Sequence, residues 1–232
     1  MFEYVDKSEY KPLRDYVESV IKQVQVDLRE KGIVTFQFYR IGSAGDRHLI
    51  TREVNGNNGF DLDYNLSIQR LLNNKYNDEK KMKTLFMKLF NEFKPKHFEC
   101  CEDSTSVFTV KRLDAKTGNI LYSFDFAIVY YYMEGIPNQD FDEDYDDPDD
   151  EYYEKERQKY IKHDKHSDTY YWELRPIATN HCYIENAIKD NNLWNELRDL
   201  YLEKKNNNKD PNKKSRIIYY ETLNEIWQKY FD

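Results

Sequence analysis

Cysteine and long apolar runs are scarce in this sequence, and both shortages restrict the class of protein. The three Cys residues are an odd number, and Cys100 and Cys101 are adjacent, so they do not make the framework of a disulfide-rich secreted protein. No apolar run approaches the roughly 18 residues of a membrane-spanning helix. The first residues also lack the basic and apolar regions of a secretory signal. We therefore expect a cytoplasmic protein with no membrane partner.

Glycine is also scarce, but it is concentrated. Four of the seven glycines lie between residues 42 and 59, so backbone freedom is gathered in one stretch. By contrast, aromatic residues are abundant, at 16% of 232 residues with 21 Tyr and 13 Phe. This length is enough for one large domain or two small ones with a sizeable core. The composition predicts a core built on aromatic side chains.

The net charge of −8 is distributed unevenly. Residues 140–156 contain 11 acidic residues and one Lys, a net charge of −10, which leaves the rest of the chain near +2. Because affinity for long nucleic acid comes from neutralising phosphates, this balance argues against long nucleic acid as a partner without excluding it. The acidic run itself is typical of a solvated surface loop.

A calcium loop is the alternative interpretation of the acidic run. Acids recur at alternate positions from Asp140 to Asp146, and Glu151 stands twelfth from Asp140, as in an EF-hand loop. However, Tyr145 stands where that loop requires glycine, and Pro148 interrupts it. The plain loop is favoured, and whether residues 138–156 bind a metal or a partner stays open.

Residues 40–66 carry the chemistry that the sequence shows best. A strand-like run ends at Gly42-Ser43, a small turn that we expect to open a helix and whose backbone N–H groups and hydroxyl suit a phosphate. Further on, Asp61 and Asp63 would project from the same face of a strand, about 7 Å apart. Two carboxylates this close repel each other unless a cation lies between them. The pair therefore predicts a divalent metal site.

A strand, a Gly-Ser turn and a later strand with Asp-x-Asp resemble the nucleotidyltransferase superfamily, which includes DNA polymerase beta, oligoadenylate synthase and cyclic GMP-AMP synthase. The resemblance covers about residues 34–130 and implies a third acid on a later strand. Asp125 fits, because it lies in the apolar run of residues 120–130, where a lone acid needs a partner such as a shared metal. The long segment between Ser43 and Asp61, and Phe60 before the acids, look nearer to the second-messenger synthase branch.

The resemblance implies a function and roles for individual residues. Asp61, Asp63 and Asp125 would be the catalytic residues and would bind two Mg²⁺ ions, with Mn²⁺ as the alternative. Gly42 and Ser43 would hold the phosphates of a nucleoside triphosphate. The expected reaction is Mg²⁺-dependent transfer of a nucleoside monophosphate from this triphosphate to an unidentified hydroxyl acceptor, with release of pyrophosphate.

Arg47 lies just past the turn and is our remaining candidate for nucleotide binding, although such a residue more often lies on an exposed face. The alternative function is a catalytically inactive binding or regulatory module with the same fold. A nucleic-acid binder without chemistry ranks third, since the basic cluster of residues 204–216 is short. That cluster could contact phosphates, but a solvated face is favoured there, and also for the group from His163 to Asp168.

The fold class expected is α+β, a mixed and mostly antiparallel sheet with helices on one side and a helical C-terminal part. We expect a nucleotidyltransferase-like catalytic core in residues 1–135, an acidic mobile loop in 136–167 and a mainly helical part in 168–232. Apolar periodicity predicts helices over residues 9–31, 77–93, 180–190, 193–206 and 215–230, with Ser8 as the expected cap of the first helix and Asn77 or Asp78 as that of the second. Alternation predicts strands over residues 33–40, 60–68, 105–113, 119–131 and 168–175.

Overall fold

A computed structural model of the chain describes residues 1–45, 47–54, 56, 59–137, 152–176 and 181–231. The five α-helices of this part are α1 (Lys7–Glu30), α2 (Glu79–Phe93), α3 (His181–Asp190), α4 (Trp194–Asn207) and α5 (Ser215–Tyr230). Its nine strands are β1 (Phe2–Tyr4), β2 (Val34–Ile41), β3 (Thr51–Glu53), β4 (Phe60–Leu71), β5 (Glu102–Asp103), β6 (Phe108–Leu113), β7 (Ile120–Pro137), β8 (Tyr152–Asp164) and β9 (Thr169–Leu174). The α+β fold class is confirmed.

The first two helices begin at side-chain caps. Asp78, one of the two residues expected to cap α2, does so by accepting a hydrogen bond of 2.8 Å from the backbone N–H of Lys81. The expected cap of α1, Ser8, was wrong. Asp6 is the cap, and its carboxylate accepts from the N–H of Ser8 at 2.7 Å. The carboxylate is the better cap because it also interacts favourably with the positive end of the helix.

The main sheet is mixed, and one parallel pair lies at its centre. Its strand order is β2-β4-β7-β6-β5, and β8 pairs with the second half of β7 and with β9. Only the β4–β7 pair is parallel among these described strands. The chain returns from β4 to β7 through α2 and the β5–β6 pair, which a parallel pair requires.

The two faces of the sheet differ in polarity. Side chains of one face pack against α1 and α2 in an aromatic core. Phe126 is fully buried there, with ring centroids 4.5 Å from Phe90, 5.1 Å from Phe108 and 5.7 Å from Tyr64. Because side chains alternate along a strand, Asp61, Asp63 and Asp125 project from the opposite face. The core thus fixes which face carries the acids.

Strand β8 corrects the prediction that residues 136–167 form a loop. Residues 152–160 pair with β7 and residues 159–164 pair with β9, while the acidic residues 138–151, with the calcium-loop alternative, lie outside the described residues. The segment reads YYEKERQKYIKHD, so its polar residues hide the period-2 signal of a strand. Pairing with β7 along its first part and with β9 along its last part supplies the backbone hydrogen bonds that this pattern does not predict.

The C-terminal helices form a second core around α5. Ile188 of α3, Leu197 of α4 and Leu223 of α5 are fully buried in it, and Leu49 joins them from the segment before β3. The N-terminal part therefore contributes to the C-terminal core. None of the helices in the described ranges is long and apolar enough to cross a membrane.

Candidate active site

The register of β4 against β7 brings the three acids together. In this parallel pair Asp63 lies directly opposite Asp125, and Asp61 lies opposite Ser123. Paired residues of neighbouring strands project from the same face, so the three carboxylates share one polar surface. Spacing along β4 could predict the first pair, whereas the position of Asp125 depends on the strand pairing.

Two of the carboxylates are oriented by hydroxyl groups. Thr109 of β6 donates to Oδ1 of Asp125 at 2.6 Å, and Ser123 of β7 donates to Oδ1 of Asp61. Both donors lie on strands next to the acid they contact. The sheet thus fixes the orientation of Asp125 and Asp61, and leaves their Oδ2 atoms for other partners.

Asp63 is the acid whose ionisation is most disfavoured. Burial raises its pKa from 3.8 to about 7, and the nearby charges of Asp125 and Asp61 act in the same direction. Burial also raises the pKa of Asp125, although the hydrogen bond from Thr109 opposes the change. A cation bound here would stabilise the ionised carboxylates, because it would offset their mutual repulsion and the cost of burying their charge.

The three acids suit a divalent cation in chemistry, but they are not a preformed cluster. Within the described ranges no group of three His, Cys, Asp or Glu has the geometry of a metal site, and two of the three carboxylates are hydrogen-bonded to hydroxyls instead. The donor set is nonetheless the all-oxygen set that Mg²⁺ and Mn²⁺ prefer. The raised pKa of Asp63 also fits a site whose charge is balanced by a bound ion.

The Gly42-Ser43 turn lies beside the acids. Gly42 has φ +61, and a Cβ built on it would lie 2.9 Å from Oδ2 of Asp63, so this position requires glycine for both conformation and space. The turn opens a single 3₁₀ turn, Gly42–Ala44, and not the longer helix that the sequence suggested. Phosphate contact here would therefore depend on the local N–H groups and the Ser43 hydroxyl.

A cleft of about 600 Å³ opens above this surface. Its floor includes Gly42, Ser43, Asp61 and Asp63, and its opposite wall comes from α4 and α5. Side chains that line it include four cations and three Tyr residues: Arg47, Arg175, Lys205, Arg216, Tyr201, Tyr219 and Tyr220. The acidic floor and the cationic walls provide groups for a metal and for phosphates in the same cleft.

Lys205 is a cleft cation that sequence analysis did not single out from the basic cluster of residues 204–216. It donates to the hydroxyl of Thr51 at 2.6 Å, and its Nζ lies 4.5 Å from the centroid of the Phe2 ring. Burial lowers its pKa from 10.5 to about 8, although the charge of Asp61 opposes the change. Lys205 and Arg216 both belong to the basic cluster of residues 204–216, so part of that cluster lines the cleft.

Other members of that cluster lie in surface ion pairs. Lys204 of α4 pairs with Glu225, and Lys213, which lies between α4 and α5, pairs with Glu221. The signal that separates Lys204 from Lys205 is helical phase, because neighbouring helix positions point about 100° apart.

Arg47 lines the cleft but has a protein partner. Its Nε lies 2.7 Å and its Nη2 2.5 Å from Oε1 of Glu185, a buried residue of α3. The guanidinium also lies 4.6 Å from the centroid of the Tyr219 ring. Its predicted role in nucleotide binding stays a prediction.

His163 departs from the expectation of a solvated group from residue 163 to 168, whereas His166 and Asp168 are exposed as expected. Its side chain is only 12% exposed, stacks on Tyr170 at 4.1 Å and contacts Asp103 and Asp168 at 3.1 Å each. Because Asp103 also pairs with the buried Lys83 at 2.5 Å, this network links α2 to β5, β8 and β9. It lies outside the cleft and stabilises the packing of α2.

Comparison with solved structures identifies the fold. The chain is similar to Escherichia coli DncV in its 3′-deoxy GTP bound form, with a TM-score of 0.50, 10% identity and coverage of 95% of this chain and 68% of that one. It is also similar to E. coli MS115-1 CdnC with ATP, with a TM-score of 0.49, 14% identity and coverage of 99% and 63%. No protein-family model matches the sequence, and neither does any curated protein.

A third similar structure is Vibrio cholerae DncV cyclic AMP-GMP synthase with a linear intermediate, with a TM-score of 0.49, 10% identity and coverage of 82% of this chain and 47% of that one. The chain thus spans between about half and two thirds of the length of these proteins. Likeness at this level of identity shows the fold, and the expected nucleotidyltransferase-like fold is confirmed.

Proposed function

We propose that this protein is a metal-dependent nucleotidyltransferase that moves a nucleoside monophosphate from a nucleoside triphosphate to a hydroxyl acceptor. The observation that carries the proposal is the direct pairing of Asp63 with Asp125, next to a cleft with cationic walls whose floor includes Asp61 and Asp63. The similar structure of E. coli DncV, which contains 3′-deoxy GTP, supports a triphosphate as donor.

Asp61, Asp63 and Asp125 would hold Mg²⁺, with Mn²⁺ as the alternative. Bound there, such ions polarise the reacting phosphate and stabilise the leaving pyrophosphate. The protein must hold these acids ionised and close together, and the hydroxyls of Ser123 and Thr109 orient two of them for this purpose.

The triphosphate would lie between the turn and the C-terminal helices. Gly42 and Ser43 would contact its β- and γ-phosphates from one side, while Lys205 and Arg216 would face them from the other. Because these groups come from both halves of the chain, a bound triphosphate would hold the halves together. Lys205 is held in place by Thr51, which reduces the entropy lost when it binds phosphate.

In the transfer step the acceptor oxygen forms a bond to the α-phosphorus, and the bond from this phosphorus to the oxygen bridging to the β-phosphate breaks. Pyrophosphate leaves with that bridging oxygen. The acceptor hydroxyl must lose its proton as the new bond forms. Since Thr109 occupies Oδ1 of Asp125, Oδ2 of Asp125 is the atom we assign to accept that proton.

Several acceptors fit this reaction: another nucleotide, a small molecule, an RNA end or a protein side chain. The cleft includes Arg175 and Tyr220 beyond the groups assigned to the triphosphate. These are the residues to vary when acceptors are compared.

The test is isothermal titration of ATP and GTP in Mg²⁺ to the wild type and to Asp61→Ala/Asp63→Ala. We expect Mg²⁺-dependent binding that falls at least about tenfold in this variant. A matched control is Asp190→Ala/Asp199→Ala, which removes the same charge from exposed helix positions and should bind as the wild type does.

Two outcomes contradict parts of the proposal. A folded wild type that binds neither nucleotide would refute the triphosphate site. Binding without pyrophosphate release in the presence of hydroxyl acceptors would favour the alternative, a catalytically inactive binding or regulatory module.

A further inference from the structure

The ion pair of Arg47 and Glu185 connects the phosphate-side turn to helix α3. Both Nε and Nη2 of Arg47 approach the same oxygen, Oε1 of Glu185, at 2.7 and 2.5 Å. The two residues are 138 positions apart in the chain, so the pair exists only in the folded protein. As a charge-assisted contact with two donors, it holds Arg47 in one direction.

The same guanidinium faces the cleft. Arg47 lines it together with Gly42 and Ser43, and its guanidinium packs on the ring of Tyr219, which lines it as well. A phosphate in this cleft and the carboxylate of Glu185 would therefore compete for one cation.

We propose that the Arg47–Glu185 pair is a latch that a bound triphosphate opens, with phosphate oxygens replacing Glu185 on Arg47. This inference rests on the proposed nucleotide site and adds an internal competitor to it. Glu185 is then an affinity-determining residue that contacts no substrate, since it acts only through Arg47.

A second cation lies near the Glu185 carboxylate that Arg47 would leave. Glu185 is buried, with a side chain 10% exposed, and a buried carboxylate without a cation is strongly destabilising. Lys189, one helical turn along α3, has its Nζ 3.9 Å from Oε2 of Glu185. This lysine can pair with the Glu185 carboxylate when the side chain of Arg47 rotates toward phosphate.

The backbone near Arg47 need not move in this exchange. Leu49 is anchored in the C-terminal core, and its N–H donates to the carbonyl of Ser43 at 3.2 Å. With the segment held on both sides of Arg47, rotation of its side chain is sufficient. Binding of a triphosphate would then loosen α3 from this segment, which couples the cleft to the position of α3.

The test measures binding of inorganic triphosphate with Mg²⁺ by titration calorimetry, so it needs neither the base nor the acceptor. Glu185→Gln keeps the shape and removes the competing charge, and should bind about threefold to tenfold more tightly than the wild type. Lys189→Met removes the replacement cation and should bind about threefold more weakly. In the background Arg47→Met, Glu185→Gln should have no effect.

One variant serves as the control, and three results would contradict the proposal. Lys204→Met breaks an ion pair of α4 with Glu225 and should bind as the wild type does. Equal or weaker binding by Glu185→Gln overturns the latch but not the nucleotide site, and if that variant does not fold, unchanged binding by Lys189→Met overturns it. A folded wild type that binds no triphosphate overturns both the latch and the proposed function.

Discussion

Replacing Asp63 by Asn should stabilise the metal-free protein, although Asp63 is a candidate catalytic residue. The pKa of Asp63 is raised from 3.8 to about 7 in the folded state. The unfolded chain therefore loses this proton near pH 4, while the folded protein keeps it until about pH 7. Across that window the folded state binds more protons, so its stability falls as pH rises.

The size of the effect follows from the shift. About three pKa units at 1.36 kcal/mol each give an upper value of about 4 kcal/mol at pH 8. At pH 5 less than half of this penalty applies, because folded Asp63 is still protonated. Asp63→Asn cannot ionise, so its advantage over the wild type should grow from pH 5 to pH 8.

Urea unfolding in EDTA at pH 5 and pH 8 measures this difference. Adding Mg²⁺ should then stabilise the wild type at pH 8 more than Asp63→Asn, since the ion relieves the repulsion among the carboxylates. Asp61→Asn, at an exposed position of the same strand, is the matched control and should change stability by less than about 0.5 kcal/mol in EDTA. The reasoning is refuted if Asp63→Asn is less stable than the wild type at pH 8 in EDTA.

Three further substitutions test other parts of the structure. Lys205→Met should stabilise the protein at pH 7 by up to about 3 kcal/mol, because the lowered pKa of about 8 reflects the cost of keeping a buried lysine charged, which is relieved only as pH rises above 8. Thermal unfolding measures this change. ATP binding should weaken about tenfold in the same variant, and tighter binding would contradict the assignment of Lys205 to the triphosphate. Gly42→Ala should cost about 1 to 2 kcal/mol of unfolding free energy and reduce nucleotide binding, because Gly42 has a positive φ and the new Cβ would lie close to Asp63. Unchanged binding would show that the turn takes no part in the nucleotide site. Phe126→Ala should lower the unfolding free energy by about 3 to 5 kcal/mol, as expected for a large ring deleted from the core, and a loss below 1 kcal/mol in urea unfolding would contradict its central position.

The sequence alone determined the local elements near the site, because they depend on short-range patterns. Alternation and a glycine turn predict β2, the turn and β4 in order, and the spacing of Asp61 and Asp63 puts both on one face of a strand. Periodicity and capping likewise predict α2 and the three C-terminal helices, which the structure confirms within two residues at their ends. These features need no information about which strands pair.

Tertiary structure decided the rest, because contacts between distant segments leave no local signal. Only the parallel register of β4 and β7 puts Asp125 opposite Asp63, and only the packing of α4 brings Lys205 to the cleft. Strand β8 is polar in sequence and forms because its first part pairs with β7 and its last part with β9. In the same way, the sequence marks Arg47 as a cation near a turn, while its contact with Glu185 exists only once α3 has packed on the C-terminal core.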